Sequence, residues 1–222
     1  MFGIAVPCYK YHIPVLKRFL DSVANQTIKP DFVVVSCSSS SPEDIPTYDY
    51  SFTLEIITHS ERLNAAQNRN KAANRLLELG CEYISFFDCD DEMHPQRIEA
   101  IQQGFIKYPL TQFILHAYLV IEAELEEKFE VYERIIYTEN ILEKHTFNLN
   151  CLKVKNNYYA NLHHSQVSVT KDLFLKIKFR EEKEFERRED SVFCLDCFSL
   201  ELPNLCILNP LSKYYAEGQW YS

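Results

Sequence analysis

Three aspartates stand directly after an apolar stretch in the first half of the chain. Residues 83–87 have the composition of a buried strand, and Asp88, Asp90 and Asp91 follow at once. Because side chains alternate between the two faces of a strand, we expect Asp88 and Asp90 to project to the same side. Such carboxylates repel unless a cation lies between them, and Mg²⁺ or Mn²⁺ commonly bridges carboxylates to phosphate groups. The run therefore indicates a metal–phosphate site, with an acidic turn as the alternative interpretation.

Composition restricts the class of protein. The 222 residues are 46% hydrophobic and 25% charged, which is typical of a soluble globular domain. A net charge of −9 argues against a nucleic-acid partner, because such partners require a basic surface. No apolar run approaches the roughly 20 residues of a transmembrane helix, and the N-terminus does not have the pattern of a signal peptide. The 8 cysteines are scattered, which favours a reduced compartment, so we expect a cytoplasmic protein.

Apolar runs and helical periodicities alternate along residues 1–121. The predicted strands are 2–6, 32–35, 52–58, 83–87 and 113–121, and the predicted helices are 13–25, 63–79 with Gly80 after its end, and one that begins at Pro95. Strand–helix–strand repeats with continuously apolar strands indicate an α/β fold with a parallel sheet covered by helices. Ligands bind beyond the carboxyl ends of such strands, so we expect the loops at 7–10, 36–41 and 88–92 to share one edge.

The second half of the chain has a different pattern. Residues 122–222 contain a short predicted strand at 167–169, a short helix at 171–177 and a longer helix at 191–202. No linker, repeat or low-complexity segment separates this half from the first. We therefore expect a single domain over 1–222, in which residues 122–222 complete a cleft formed by residues 1–121.

Four groups of residues resemble the motifs of one enzyme family. They are the strand that leads to Tyr9, the pair Arg69-Asn70 in the second helix, the aspartate run followed by Pro95, and Glu189-Asp190 about a hundred residues later. In this order they resemble the GT-A fold glycosyltransferases, and within them the inverting family 2, over nearly the whole chain. The resemblance implies a mostly parallel central sheet flanked by helices, with a Rossmann-like half that binds a nucleotide sugar (1–121). It also implies a C-terminal extension on the acceptor side that carries the catalytic base (122–222).

The resemblance implies an activity as well. A hexosyltransferase-like enzyme of glycan biosynthesis would transfer a sugar from a nucleotide diphosphate sugar, with a UDP-sugar favoured, to a hydroxyl group of a glycan, glycoprotein or lipid acceptor. Inversion in a single displacement needs a base on the face opposite the leaving group. Asp190 is the first choice, because a helix start favours an ionised carboxylate, and Glu189 is the second. The alternative role of Asp190 is to N-cap its helix.

Further site residues are implied at the positions of the motifs. The implied metal ligands for Mn²⁺ or Mg²⁺ are Asp88, Asp90 and His164, with His163 as an alternative, and the implied nucleotide-sugar contacts are Pro7, Tyr9, Ser36, Ser38, Arg62, Arg69, Asp88, Cys89 and Lys213. Asp91 is expected to help cap the helix that follows, with a contact to the metal as the alternative. The alternative interpretation of the two arginines is a solvated helix charge, and that of the histidines is a structural role.

Two departures from the family pattern leave other functions open. The family usually has an aspartate that reads the base where this chain has Ser36-Cys37-Ser38, and its Arg-x-His tail is replaced by a region that contains Lys213. A catalytically weak or inactive module that binds sugar or nucleotide is therefore one alternative. A phosphatase of the haloacid dehalogenase type is another, although its motif follows the first strand and not the fourth.

Overall fold

The computed structural model describes residues 1–121, 129–139, 147–148, 151–154, 158–160 and 162–215, with the backbone alone between 147 and 160. Its helices are α1 (Ile13–Ala24), α2 (Ala65–Glu78), α3 (Arg97–Lys107), α4 (Lys171–Lys176) and α5 (Glu189–Ser199). Its strands are β1 (Phe2–Tyr9), β2 (Phe32–Ser38), β3 (Thr53–His59), β4 (Tyr83–Phe86), β5 (Glu92–Met93), β6 (Phe113–Ile121), β7 (Tyr137–Glu139), β8 (Phe147–Asn148), β9 (Cys151–Val154), β10 (Tyr158–Ala160), β11 (Ser168–Thr170) and β12 (Asn204–Tyr215).

One large sheet organises the domain. Its strand order is β3-β2-β1-β4-β11-β6-β12-β5, with β7 paired to β12, while β8, β9 and β10 form a separate small sheet. Strands β1 to β4 are parallel, which confirms the predicted first half, and β11 enters antiparallel between β4 and β6. From β1 the chain adds β2 and β3 on one side of the sheet and then β4 on the other side, so the strand order reverses between β1 and β4. The crevice beyond their carboxyl ends is where ligands bind in open α/β sheets.

Two apolar cores cover the two faces of this sheet. The apolar stripe of α1, with Leu16, Phe19 and Leu20, belongs to one core, and the small residues of α2 belong to the other. Helix α2 lies very close to β1, because a Cβ atom at Gly3 would come within 2.5 Å of Leu76 Cδ2. Gly80 follows α2 at a φ of +85°, a conformation that suits glycine.

Several predicted boundaries differ from the observed ones. Strand β1 does not end at Pro7 but runs to Tyr9, because Pro7 lies beyond the pairing with β4, where a missing N–H is tolerated. Strand β2 likewise includes Ser36 to Ser38, which the sequence placed in a loop. Helix α3 begins at Arg97 and not at Pro95, and its N-cap is Gln96, so the capping role expected of Asp91 is wrong. The bounds of β6 are those predicted.

In the part of the chain that the structure describes, no helix is long and apolar enough to span a membrane. The predicted division of the domain at residue 121 stays a prediction. It falls at the end of β6, next to residues outside the described ranges.

Candidate active site

A turn at the carboxyl end of β4 carries the three aspartates. The strand ends at Phe86, and the amide of Asp91 donates to the carbonyl oxygen of Asp88 at 3.3 Å. Strand alternation therefore does not apply to the aspartates, and the expectation that it sets the sides of Asp88 and Asp90 is wrong. The turn instead brings Asp88 close to Asp91, three residues further on.

Asp88 is held by two donors from other parts of the chain. Its Oδ1 forms an ion pair with Arg69 Nη2 at 2.7 Å, and its Oδ2 accepts a hydrogen bond from the Ser165 hydroxyl. Burial alone would raise the pKa of Asp88, but the cation of Arg69 and the hydroxyl of Ser165 contribute to holding this pKa below its usual value. The carboxylate is therefore ionised at neutral pH.

Arg69 connects the aspartate turn to the start of α5. Its side chain is 5% exposed, and its Nη1 lies 2.7 Å from Oε1 of Glu189. Burial opposes the charge of Arg69, but the carboxylates of Asp88, Glu189 and Asp190 raise its pKa. The two acidic motifs thus meet at a single buried guanidinium. The expected contact of Arg69 with the nucleotide stays a prediction.

Asp91 is the most deeply buried of the three aspartates. Its Oδ2 accepts from Gln166 Nε2 at 2.7 Å and its Oδ1 from the amide of Tyr215 at 2.9 Å. His163 Nε2 lies 3.4 Å from the same Oδ2. Burial and the charges of Asp88 and Asp90 raise the pKa of Asp91 well above its ordinary value. A nearby cation would offset the repulsion between the Asp91 carboxylate and those of Asp88 and Asp90.

Asp88, Asp91 and His163 fit a divalent cation. One ligand atom of each lies within 4.8 Å of the others, and among the described residues His163 Nε2 and Gln166 Oε1 are buried without a hydrogen-bond partner. Ser165 donates its proton to Asp88, so it accepts from Nδ1–H of His163 at 2.9 Å. Nε2 then carries no proton, and its lone pair is free to bind a metal. Burial lowers the pKa of His163 to about 4, which keeps the ring neutral.

Two of the three expected metal ligands lie outside this group. The main-chain oxygen of Asp90 accepts from Arg18, whose guanidinium lies 3.6 Å from the ring centre of Tyr215. Burial and the charge of Asp88 raise the pKa of the Asp90 carboxyl. Burial lowers the pKa of His164 to about 4, and its carbonyl accepts from the Cys194 thiol at 3.6 Å. Ligation by Asp90 and His164 stays a prediction.

The two candidate bases differ in their surroundings. Glu189 is engaged by Arg69, whereas the Oδ1 of Asp190 accepts from the amide of Ser191 at 2.6 Å. Helix α5 begins at Glu189 and its N-cap is Arg188, so the N-cap alternative for Asp190 is wrong. Burial raises the pKa of Asp190, with the charge of Glu189 acting in the same direction and that of Arg69 against it. A raised pKa suits a carboxylate that must accept a proton.

The other expected nucleotide contacts are spread along the carboxyl edge of the sheet. Tyr9 is half-buried, with its ring centre 5.3 Å from that of Tyr11 in an edge-on arrangement. Cys89 is buried, and its Sγ lies 3.7 Å from His12 Nδ1. Arg62 is exposed between β3 and α2, as a solvated charge would be.

Three further expected contacts are buried in the sheet. Ser36 and Ser38 hydrogen-bond to Asn68 of α2, and Lys213 of β12 pairs with Glu92 at 3.3 Å. The direct contact of each with a nucleotide sugar stays a prediction.

A buried arginine that the sequence did not single out lies beneath the site. Arg97 of α3 is fully buried and has no carboxylate partner among the described residues. It donates to His116 Nε2 and Ser85 Oγ at 2.9 Å, and to the carbonyl oxygens of Phe86 and Gln166 at 3.2 and 3.0 Å. Burial lowers the pKa of Arg97 to about 9. Arg97 therefore connects the end of β4 to the turn that carries His163, Ser165 and Gln166.

Replacing Arg97 with Met should destabilise the protein by about 2–4 kcal/mol, because several buried acceptors lose their donor. Urea unfolding measures the change, and Gln103→Met, at an exposed position of the same helix, is the matched control. Equal stability of the two variants would contradict the assigned role of Arg97.

Comparisons with known proteins agree with this architecture. The sequence pattern of Glycosyl transferase family 2 matches residues 3–200. An uncharacterized glycosyltransferase of Haemophilus influenzae is 30% identical over 118 residues, which are 52% of this chain and 38% of that protein. Residues 1–349 of S. aureus TarS in complex with UDP superpose with a TM-score of 0.64 at 15% identity, covering 97% of this chain and 60% of that one. The complex of the same protein with UDP-GlcNAc gives 0.67 at 16% identity, covering 96% and 58%.

The parallel half-sheet with acidic residues at its switch point defines a GT-A type domain. The chain belongs to glycosyl transferase family 2, as its sequence predicted. It spans less than two thirds of the length of the relatives described above. At 15–16% identity, the solved structures show a common fold only.

Proposed function

We propose that this protein is a metal-dependent, inverting glycosyltransferase whose donor is a nucleoside diphosphate sugar, with a UDP-sugar favoured. Membership of family 2 supports the reaction class, and the TarS structures were solved with UDP and with UDP-GlcNAc bound. The acceptor class, a glycan, glycoprotein or lipid hydroxyl, and a cytoplasmic location remain predictions from the sequence.

Asp88, Asp91 and His163 would hold the cation, with Gln166 beside them. When bound, it neutralises the negative charge of the diphosphate as that group leaves. The imidazole nitrogen favours Mn²⁺ over Mg²⁺, because Mg²⁺ prefers an all-oxygen set of ligands. Ser165 and Arg69 hold Asp88 in place through its two oxygens.

Asp190 would act as the base. It takes the proton of the acceptor hydroxyl, the acceptor oxygen bonds to the anomeric carbon from the face opposite the diphosphate, and the anomeric C–O bond breaks with its electron pair leaving on the nucleoside diphosphate. Glu189 fits this role less well, because its carboxylate is already paired with Arg69.

The single observation that carries this proposal is the bridge through Arg69. The guanidinium contacts Asp88 and Glu189 at 2.7 Å each. A candidate metal ligand, Asp88, and the neighbour of Asp190 are therefore held by the same side chain. Residues 120 positions apart in the sequence thereby form one site. A donor whose diphosphate lies at Asp88 would have its anomeric carbon near the start of α5.

A thermal-shift panel of nucleotide sugars with and without Mn²⁺ tests the proposed donor class. We expect at least one UDP-sugar to raise the melting midpoint in the presence of Mn²⁺, with the shift removed by EDTA, because a ligand that binds only the folded state stabilises it. Slow release of UDP from the same sugar would establish turnover. Binding without release would favour the inactive module, and the absence of any shift would contradict the proposal.

The pH dependence of turnover should report the pKa of Asp190. Burial raises this pKa above the ordinary aspartate value of about 3.9, and only the ionised form accepts a proton. At saturating Mn²⁺ and donor, kcat should therefore fall as pH is lowered, with its midpoint above pH 4 or so. A kcat that stays constant down to that pH would contradict the role of Asp190.

A further inference from the structure

A hydrogen-bonded relay connects α2 to the ends of β2 and β3. Ser36 Oγ donates to Asn68 Oδ1 at 2.9 Å and lies 3.0 Å from His59 Nε2. Asn68 Nδ2 donates to Ser38 Oγ at 3.1 Å and faces the carbonyl oxygen of Leu63 at 3.5 Å. The two serines and Asn68 are buried, whereas His59 is the partly exposed member of the relay.

The relay fixes the tautomer of His59. The Leu63 carbonyl can face only the N–H side of the Asn68 amide, so Oδ1 of Asn68 points to Ser36 and takes its one proton. The Ser36 oxygen must then accept from His59, which places the imidazole proton on Nε2. Burial also lowers the pKa of His59, which keeps the ring neutral. Nδ1 therefore carries no proton and can accept a hydrogen bond.

This acceptor is open to solvent at the ligand-binding edge of the sheet. Within the described ranges, His59 Nδ1 has no hydrogen-bond partner and is not among the buried unsatisfied atoms. His59 is the last residue of β3, whereas Asp88 follows the end of β4. With β2 and β1 between these strands, they lie about 14 Å apart sideways at the usual strand spacing. His59 is level with Tyr9 of β1, four residues beyond the Ala5 that pairs with the end of β4. An extended nucleoside diphosphate can cover that distance from its diphosphate to its base.

We propose that His59 selects the nucleobase of the donor by accepting a hydrogen bond from a ring N–H. This inference rests on the proposed function and names the base class of its donor. Uracil and thymine present such an N–H at N3, whereas cytosine has a bare nitrogen there that would face the Nδ1 lone pair. Ser36 and Ser38 support this role by holding the relay, since their hydroxyl groups are buried and engaged in it.

Competition between UDP and CDP in the presence of Mn²⁺ tests this role, because the two nucleotides are alike in size and phosphate charge. The wild-type protein should bind UDP about ten- to hundredfold more tightly than CDP. His59→Ala should bring the ratio of the two dissociation constants close to one. Ser36→Ala should lower the ratio, because the ring can then adopt either tautomer, and Ser60→Ala, at an exposed neighbouring position, should leave it unchanged.

Nitrogen NMR of the imidazole provides a second readout that a purely structural role would not affect. The wild-type His59 should show a protonated Nε2 and a bare Nδ1 at neutral pH, and Ser36→Ala should show a mixture. Equal binding of UDP and CDP by the wild type, or an unchanged ratio in His59→Ala, would overturn this inference and leave the proposed function standing. Binding of no nucleotide at all would overturn both.

Discussion

Asp190→Asn should lower kcat by about 10²- to 10⁴-fold with little change in the dissociation constant of the donor. The substitution keeps the shape of the side chain and removes its ability to accept a proton. The dissociation constant of the donor should stay unchanged because Asp190 is not a member of the group formed by Asp88, Asp91 and His163. Initial rates at saturating donor, together with donor titrations, separate the two effects.

Asp196→Asn is the matched control for this change. Asp196 lies on the same helix and pairs with Arg180 at 2.6 Å, so its loss should leave kcat within a few-fold of the wild type. Glu189→Gln should act differently, because it removes an ion pair of the buried Arg69 and should lower stability as well as rate. If Asp190→Asn retained most of the activity and only Glu189→Gln lost it, the role of the base would be assigned to Glu189 instead.

Asp91→Asn should weaken Mn²⁺ binding by about 100-fold or more, whereas Asp90→Asn should weaken it by about tenfold or less. Ligand atoms of Asp91, Asp88 and His163 lie within 4.8 Å of one another, whereas Asp90 is not a member of this group. The two variants are matched in size and charge and differ by one position. The electron paramagnetic resonance signal of free Mn²⁺, measured during titration, gives both dissociation constants.

The melting midpoints of the metal-free Asp91→Asn and Asp90→Asn variants show whether either substitution disturbs folding. Asp91→Asn removes a buried like charge, so the metal-free protein should not be greatly destabilised. A larger loss of Mn²⁺ affinity in Asp90→Asn than in Asp91→Asn would contradict the cluster and support the ligand predicted from the sequence.

The elements of the fold were predictable where a local pattern determines them. The helical spacing of apolar residues in α1, the glycine after α2 and the apolar run of β6 each determine an element without reference to the rest of the chain. The position of β11 was not predictable. Its short apolar run indicates a strand, but its antiparallel place between β4 and β6 depends on contacts between distant segments.

The site was predictable as a region and not as a set of contacts. The aspartate run and the Glu189-Asp190 pair lie at the edge where parallel strands end, as the sequence indicated. The strand before the run ends one residue earlier than expected, and the resulting turn joins Asp88 to Asp91. The proposal of His163 as a metal ligand rests on Ser165, whose hydroxyl contacts both Asp88 and His163. Sequence spacing does not show such a contact.

Anomalous diffraction from crystals of the protein with Mn²⁺ and UDP would locate the metal and its ligands. We expect one manganese peak within roughly 2.0–2.3 Å of Asp88, Asp91 and His163, with the diphosphate bound to it on the side of Asp190. A manganese ion held by Asp90 or His164, with Asp91 and His163 outside its coordination sphere, would contradict this expectation.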